Sequence, residues 1–450
     1  MDISIIETSG LGDRSYLISH GGSAVVIDPQ RDIDRVLALA DEHATRITHV
    51  LETHLHNDYV TGGLELSHTV GAEYVVPAVD GIGYPHRAVT DGDVIDAGAM
   101  QLEVLHTPGH THHHVSYVLR DDTGAVHGVF TGGSMLFGTT GRTDLVAAED
   151  TEELTHAQFH SVRRLADSLP TDTPVYPTHG FGSFCSATPA SGDESTIGEQ
   201  RQSNPALTQD EQSYVDELLA GLSAYPTYYA HMGVINREGP APVDLTPPAP
   251  IDPAELRRRI EAGEWVVDLR NRTAFAAGHL QGTLGFELSG SFVSYFGWLY
   301  EWGAPVTLIG DSPDQIAEAK RELVRIGVDR LTGSATGDVD TLRDAAPLGS
   351  YEVSDFAGLA HERKTAAVAV LDVRQTNEFD QEHIPGAVSI PLHELPQRLD
   401  DVPAGPVWVH CASGYRSSIA ASYLDRAGIF VVLIDDDFDK AVKLGLTVSG

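Results

Sequence analysis

The chain is poor in cysteine, in basic residues and in long apolar runs, and each shortage excludes a class of protein. Its 450 residues contain two cysteines, Cys185 and Cys411, whose separation predicts free thiols rather than a disulfide framework. The 29 basic residues face 65 acidic ones, and a net charge of −36 argues against nucleic acid or an anionic membrane as a partner. No apolar run reaches membrane-spanning length and no signal peptide is recognisable, so we expect a cytoplasmic protein.

The order of predicted elements indicates a layered α/β domain followed by a linker. In the first half of the chain, short strands alternate with helices such as Asp32–Glu42 and Thr151–Ser168, and a helix near Thr208–Ala220 is expected to close the domain. Five prolines between residues 237 and 250 predict a semi-extended linker.

Beyond the linker, one α/β unit of about a hundred residues occurs twice. The strands Trp265–Arg270 and Val368–Arg374 correspond, and both are followed by a Gly- and His-containing segment. The second copy continues with the strand Val407–His410, the loop Cys411–Arg416 and an amphipathic helix. The first copy has no cysteine at the matching place, so it is predicted to keep the frame without the nucleophile.

Histidines follow three predicted strands of the first domain. His54, His56 and Asp58 stand at alternate positions after one strand, and side chains two apart on extended backbone leave the same face. His110 and His179 stand at the ends of two others. A surface histidine explains any one of these, but three strand-end loops together predict a metal site with these five residues as candidate ligands.

The loop from Cys411 to Arg416 lies between a buried strand and the start of a helix. Backbone N–H groups that turn into a helix form an anion-sized cup, and the helix dipole and Arg416 favour thiolate over thiol. Gly414 permits the bend, and Ser413 with Gly414 would contact an anionic substrate. Cys411 is predicted to hold sulfane sulfur as a persulfide. A phosphatase loop, which needs more room, and a buried structural cysteine are the competing interpretations.

These motifs resemble two known families, which together cover nearly the whole chain. Residues 1–240 resemble the metallo-β-lactamase superfamily and, within it, the persulfide dioxygenases, through Thr53–Tyr59, Thr107–Thr111, Gly141–Leu145 and Thr178–Gly180. Residues 251–450 resemble tandem rhodanese domains, the second with the CxxGxR loop. The resemblance implies an αββα sandwich followed by two α/β domains with central parallel sheets. The implied boundaries are 1–240 for the dioxygenase-like domain, 241–250 for the linker, 251–345 for the inactive rhodanese and 346–450 for the active one.

In the dioxygenase family, two histidines and an aspartate hold one ferrous iron. The resemblance implies His54 and His110 as ligands here, but Gly133 stands where the aspartate is expected. Loss of the carboxylate removes the facial triad that suits iron for dioxygen chemistry.

Three ways of completing the site remain open. His56 could join the two histidines and favour zinc, Asp58 or His179 could supply the ligand, or the domain could bind no metal. Tyr59 also replaces a histidine of the superfamily's second metal position.

Several neighbouring residues have two readings. Arg142 either binds the carboxylate of a thiol carrier or pins its own loop. One histidine of His112–His114 is expected to support His110, and Cys185 is expected to be a wall residue. Asp372 and Arg374 are expected to form a structural pair.

The implied activity is sulfur metabolism. A low-molecular-weight persulfide would be oxidised to sulfite at Fe(II), and Cys411 would move sulfane sulfur between persulfide, sulfite and thiosulfate. A sulfurtransferase with a metal-deficient first domain and a Zn(II) thioester hydrolase are the alternatives. The superfamily implies a homodimer.

Overall fold

The computed structural model describes residues 1–190 and 192–449. The chain divides into two compact units, the first formed by Met1–Asp244 with Val324–Gly327 and the second by Leu245–Leu323 with Val328–Gly450. The change from one unit to the other after Asp244 falls inside the predicted linker. The finer division of the second unit at residue 345 stays a prediction.

The first unit contains two large sheets and a short hairpin. The six-stranded sheet has the order β1-β2-β3-β4-β5-β6, and the five-stranded sheet has the order β13-β10-β9-β8-β7. The strands are β1 Asp2–Thr8, β2 Asp13–His20, β3 Ser23–Ile27, β4 Arg46–Leu51, β5 Glu73–Pro77, β6 Arg87–Val89, β7 Val94–Ala97, β8 Met100–His106, β9 Val115–Asp121, β10 Val126–Gly132, β11 Met135–Leu136, β12 Thr139–Thr140 and β13 Val175–Pro177.

Helices cover the outer face of each sheet. They are α1 Asp34–Glu42, α2 Gly63–Val70, α3 Thr151–Ser168, α4 Ile197–Ser203, α5 Pro205–Thr208, α6 Glu211–Gly221 and α7 Tyr229–Glu238. The predicted bounds of α3 are confirmed, but the prediction that a helix near Thr208–Ala220 closes this unit is wrong, because α7 follows it. Helix α7 has few buried apolar positions, so its hydrophobic periodicity is weak in the sequence.

The core confirms the αββα sandwich. Alternate residues of the two sheets, such as Val25, Leu51, Leu102 and Tyr117, are fully buried against one another. A second cluster lies between the six-stranded sheet and α1 and α2, and a third lies between the other sheet and α3 to α6. Each sheet therefore buries both of its faces, as a four-layer arrangement requires.

Four strand ends meet at one edge of this sandwich. Strands β10 and β13 are parallel, with Gly132 opposite Pro177, and β8 runs in the same direction because β9 is antiparallel to both β8 and β10. The loop after β4 joins the same edge through a hydrogen bond of 2.8 Å from the Val115 N–H to the Thr53 carbonyl. All the candidate ligand loops consequently start from one place.

The second unit contains two parallel sheets of corresponding design. Their orders are β16-β14-β17-β18 and β20-β25-β24-β21-β23, and two short antiparallel pairs, β15-β19 and β22-β26, accompany them. The strands are β14 Trp265–Asp268, β15 His279–Leu280, β16 Leu284–Gly285, β17 Val306–Gly310, β18 Leu331–Thr336, β19 Leu348–Gly349, β20 Glu352–Ser354, β21 Ala369–Asp372, β22 Glu382–His383, β23 Val388–Ser389, β24 Val407–His410, β25 Val431–Ile434 and β26 Val448–Ser449.

Helices pack on both parallel sheets. They are α8 Pro253–Glu261, α9 Arg272–Ala277, α10 Phe292–Leu299, α11 Pro313–Arg325, α12 Val339–Leu342, α13 Phe356–Glu362, α14 Thr376–Gln381, α15 Tyr415–Arg426 and α16 Phe438–Lys443. Within the part of the chain that the structure describes, none of the helices combines the length and the apolar character needed to cross a bilayer.

The two sheets repeat the same local interactions, which supports the predicted duplication. Asp372 forms a buried ion pair of 2.6 Å with Arg374, and the corresponding pair in the first copy is Asp268 and Arg270 at 2.7 Å. Each pair fixes the turn that leaves the central strand. The predicted structural role of Asp372 and Arg374 matches this geometry.

Candidate metal centre and thiol site

Three imidazoles from three loops meet at the edge of the first unit. His54, His110 and His179 are fully buried, and one ligand atom from each lies within 4.8 Å of the other two. The Nε2 atoms of His54 and His179 are 3.3 Å apart. Two ligands about 2.1 Å from one tetrahedral ion are about 3.4 Å apart, so this separation fits a shared metal.

The opposite nitrogen, Nδ1, is held by an oxygen atom in each of the three rings. Such partners fix the ring orientation and leave Nε2 for the metal. They are the Thr53 hydroxyl at 2.9 Å for His54, the Arg142 carbonyl at 2.8 Å for His110 and the Asp13 carboxylate at 2.9 Å for His179. The Nε2 atom of His110 is buried without a hydrogen-bond partner among the described residues, which is the condition of a ligand atom.

Electrostatics keep two of the rings in the neutral form that binds metal. Burial, reinforced by neighbouring imidazoles, holds the pKa of His54 well below its usual range and lowers the pKa of His110 to about 3. His179 behaves differently. Burial opposes its charge, but Asp58 and Asp13 outweigh burial and raise the pKa of His179 to about 10. A cation bound at Nε2 would replace this proton, because both are positive charges that the two carboxylates stabilise.

Gly133 has no room for the aspartate that the family resemblance implies. A Cβ atom there would collide with Cδ2 of His110. The Gly133 N–H instead donates to Nε2 of His114 at 3.0 Å. The resemblance-based site of two histidines and one aspartate is therefore absent. Of the alternatives, the geometry favours His179 as the third ligand.

His56 is not grouped with His54 and His110 in the donor sets of the described residues, although it is grouped with Asp58 and His179. Its Nε2 atom lies 3.3 Å from Asp28 and 3.2 Å from Glu52, and the Tyr59 hydroxyl is 3.0 Å away. Burial alone would lower the pKa of His56, but these two carboxylates raise it to about 9. His56 is thus a charged link within the loop.

Asp58 orients His179. Its Oδ2 atom lies 3.1 Å from Nδ1 of His179, beside the contact from Asp13. Although burial opposes ionisation, the His179 charge holds the pKa of Asp58 below its usual range. Burial and the nearby Asp58 charge raise the pKa of Asp13 to about 7. Asp58 can also be grouped with His56 and His179 as a donor set, so it remains within reach of a metal.

The residues around the centre act as its frame. Arg142 is buried, and its guanidinium donates to Asp144 at 2.7 and 2.8 Å and to the Ser223 carbonyl at 2.6 Å. These contacts favour the reading in which Arg142 pins its loop. His114 is the buried histidine beside His110, whereas His112 is partly exposed and pairs with Asp150.

Cys185 lies in the wall of this frame. Its Sγ atom is 3.8 Å from the Tyr229 hydroxyl, and burial raises the pKa of the thiol well above its usual range. A buried thiol of this kind is unreactive, which agrees with the expectation of a wall residue.

A cleft of about 590 Å³ lies over the ligand loops of the first unit. Residues next to the candidate ligands form one side, and one face of α7 forms the other. Its lining includes Leu55, Asn57, Thr111, Tyr225, Tyr229 and Arg237. No ion-pair partner of Arg237 is found within 4 Å in residues 1–190 and 192–449.

The thiol of the second unit is buried at the start of α15. The Sγ atom of Cys411 lies 3.5 Å from the Ser417 hydroxyl, and Gly414 adopts a φ of 90° where the loop turns into the helix. Ser413 is exposed at the rim. Arg416 forms two hydrogen bonds of 2.6 and 2.8 Å with the Glu378 carboxylate. Arg416 therefore stabilises the loop. To act also as the predicted anion ligand, Arg416 would have to contact the substrate and Glu378 at the same time.

The sequence analysis assigned no role at this site to Ser417 or to Glu378. Ser417 lies six residues after Cys411, in the first turn of α15, and a hydroxyl at a helix start was the available signal. Glu378 comes from α14, and only a half-buried arginine that needs a carboxylate partner predicts such a residue.

Gly133→Ala should destabilise the first unit by about 1–3 kcal/mol, because the added methyl group overpacks against His110. Gly133→Asp should be at least as harmful and should lower metal content. Urea unfolding and elemental analysis measure both effects. Gly221→Ala is the control, since Gly221 has open space around its Cβ position. A Gly133→Asp variant that is stable and binds iron more tightly would contradict this packing argument.

His179→Gln should weaken metal binding at least about 100-fold, because it removes a donor from a three-imidazole set. His56→Gln should retain the metal but lose about 3–5 kcal/mol of stability, since it leaves two buried carboxylates without their cation. Equilibrium dialysis and denaturant unfolding separate the two effects. His68→Gln, at an exposed position of α2, is the control. Equal metal loss in both variants would show that His56 is a ligand.

Comparison with known proteins agrees with this architecture. Residues 11–179 match the family model of the metallo-β-lactamase superfamily, and residues 355–443 match that of the rhodanese-like domain. A metallo-β-lactamase from Staphylococcus aureus subsp. aureus COL is similar in structure, with a TM-score of 0.66 and 29% identity over 74% of this chain and 98% of that chain.

Two curated relatives are similar to the first unit. The human mitochondrial persulfide dioxygenase ETHE1 is 31% identical over 249 residues, covering 55% of this chain and 84% of that protein. A hydroxyacylglutathione hydrolase from Methylobacillus flagellatus is 33% identical over 169 residues, covering 37% of this chain and 61% of that protein. These similarities indicate an enzyme of the dioxygenase and sulfurtransferase type with a metal-binding site in its first unit. The chain belongs to the persulfide dioxygenase family, in a form fused to a rhodanese-like domain.

Proposed function

We propose that the first unit oxidises the terminal sulfur of a low-molecular-weight persulfide to sulfite, and that Cys411 transfers sulfane sulfur. The oxidation step is supported by the convergence of His54, His110 and His179, in each of which an oxygen atom holds Nδ1 and leaves Nε2 for a metal. Family membership supplies the reaction class. The overall change is RSSH + O₂ + H₂O → RSH + SO₃²⁻ + 2H⁺.

The three imidazoles fit a single ion, and we propose that this ion is iron. Bound Fe(II) with open positions would supply the binding and activation of dioxygen. The protein's part is to hold three imidazole rings in place and to keep water away from them, since His54, His110 and His179 are all fully buried.

The cleft over the ligand loops would take the persulfide. Leu55 and Tyr229 provide apolar and aromatic contact for the body of the thiol, and Arg237 provides a cation for a carboxylate. A terminal sulfur entering between Asn57 and Thr111 would approach the imidazoles, because these two residues adjoin the loops of His56 and His110.

Cys411 would act by nucleophilic exchange. Its thiolate attacks the outer sulfur of a persulfide. The Ser417 hydroxyl, which donates to the Gly414 and Ile434 carbonyls, would have to turn from them to donate to the charged sulfur 3.5 Å away. The start of α15 and its backbone N–H groups favour that negative charge. Arg416 keeps the loop closed through Glu378.

A zinc thioester hydrolase is the second candidate, and the three-imidazole donor set is the observation that favours it, because zinc takes such sites readily. Tyr59 and Gly133 weigh against it. They remove a terminal ligand and the carboxylate that would bridge two ions in the related two-metal sites.

Alanine at both His54 and His110 should abolish persulfide-dependent dioxygen uptake and bound iron while leaving sulfur transfer intact. Cys411→Ser should have the opposite effect, because the two reactions use separate residues. An oxygen electrode, elemental analysis under low oxygen and a persulfide-transfer assay measure the outcomes. Cys185→Ser is the matched cysteine control for transfer. Dioxygen uptake that survives both alanines would overturn the metal mechanism, and bound zinc with thioester turnover would establish the second candidate.

A further inference from the structure

The rim of the Cys411 loop carries more carboxylates than cations. Arg416 is bound to Glu378 as described, and Arg272 from the cysteine-less copy is bound to two carboxylates at once. Its Nε donates to Asp435 and its Nη1 to Glu287, each at 2.8 Å. Two guanidinium groups against three carboxylates leave one negative charge in excess, before the thiolate is counted.

The carboxylate of Asp435 lies directly against the loop. A Cβ atom on Gly414 would collide with its Oδ1 atom, and the Phe438 N–H donates to the Ala412 carbonyl at 2.8 Å. The segment between these contacts, Asp435–Asp437, places three acidic residues in succession beside the loop, and Lys440 pairs with one of them, Asp436.

The cysteine-less copy forms the other side of the rim. The Tyr415 hydroxyl, within the loop, donates to the Glu287 carbonyl at 2.7 Å, and the Tyr415 ring lies 5.8 Å from the Tyr295 ring of α10. Tyr295 is half-buried, and burial raises the pKa of its hydroxyl. The cysteine-less copy thus contributes three groups to the rim: the Tyr295 ring, the Glu287 carboxylate and the Arg272 guanidinium, whose charge is already paired.

We propose that the Cys411 site takes sulfane sulfur from organic hydropersulfides and disfavours thiosulfate, and that the carboxylates of Asp435 and Glu287 set this preference. The inference rests on the proposed sulfurtransferase function. Thiosulfate carries two negative charges next to its sulfane sulfur and needs unpaired cations at the rim. A hydropersulfide carries at most one at its reacting end. The net charge of −36 adds a long-range repulsion in the same direction.

The reaction balances without an oxidant. The Cys411 thiolate attacks the outer sulfur of R–S–SH, the donor S–S bond breaks, R–S⁻ leaves and Cys411–S–SH forms. A second thiolate then attacks the outer sulfur, forms R′–S–SH and regenerates the Cys411 thiolate. Apolar and aromatic contact from the Tyr295 and Tyr415 rings suits the carbon body of such a donor.

The test measures sulfur loading of Cys411 in the full chain by intact-mass spectrometry, under anaerobic conditions so that the first unit consumes nothing. The donors are 2-mercaptoethanol hydropersulfide and thiosulfate. The hydropersulfide should load at least about 100-fold faster at low salt. Thiosulfate loading should rise with ionic strength, because salt screens the repulsion.

Asp435→Asn and Glu287→Gln should each accelerate thiosulfate loading by roughly tenfold, since each removes a negative charge and loosens Arg272. Hydropersulfide loading should change less than about twofold. Glu261→Gln, whose carboxylate pairs with Arg257 on α8, is the control. The inference would be overturned if both donors loaded the unsubstituted chain at equal rates, or if its thiosulfate rate did not depend on salt. Both measurements use the unsubstituted chain, so they decide the question even if a variant fails to fold. Loading from neither donor would instead overturn the proposed sulfurtransferase function.

Discussion

The carboxylate of Asp28 is the interaction on which the metal centre depends. It accepts hydrogen bonds from the Thr53 N–H and hydroxyl, both at 2.7 Å, and another from the Thr178 hydroxyl. Thr53 and Thr178 each precede a candidate ligand, so the buried Asp28 carboxylate fixes the positions of two of the three ligand loops. Asp28 holds this position with a φ of 50°, which few residues other than glycine adopt.

A buried carboxylate of this kind requires a cation, and His56 supplies it. This requirement explains why Nε2 of His56 faces Asp28 and Glu52, although the His56 ring lies only 4.1 Å from the His54 ring. Asp58 and Asp13 hold Nδ1 of His179, and this ring completes the group with His54 and His110. Two imidazole–carboxylate contacts therefore organise the site. Asp28 holds Nε2 of His56 away from the candidate metal position, and Asp58 with Asp13 holds His179 in it.

Much of the fold could be predicted from local pattern, because strand alternation and helix length are local properties. The bounds of β24 and α3 were predicted correctly, as was the edge at which the histidines meet. The orientation of His56 could not be predicted, since the argument from alternate positions needs extended backbone, and β4 ends at Leu51. The partner of Arg416 was also hidden, because Glu378 lies 38 residues away in sequence and meets it only through packing.

The packing around His110 also limits how this centre can change. Gly133 and Gly141 both lie against that ring, and a Cβ on Gly141 would collide with the Gly133 carbonyl and would lie 2.8 Å from Nδ1 of His110. A carboxylate ligand at position 133 would require a different placement of His110 and of the Gly141 loop. A change of ligand set at this centre therefore demands several simultaneous substitutions, because a single one at position 133 meets the His110 ring.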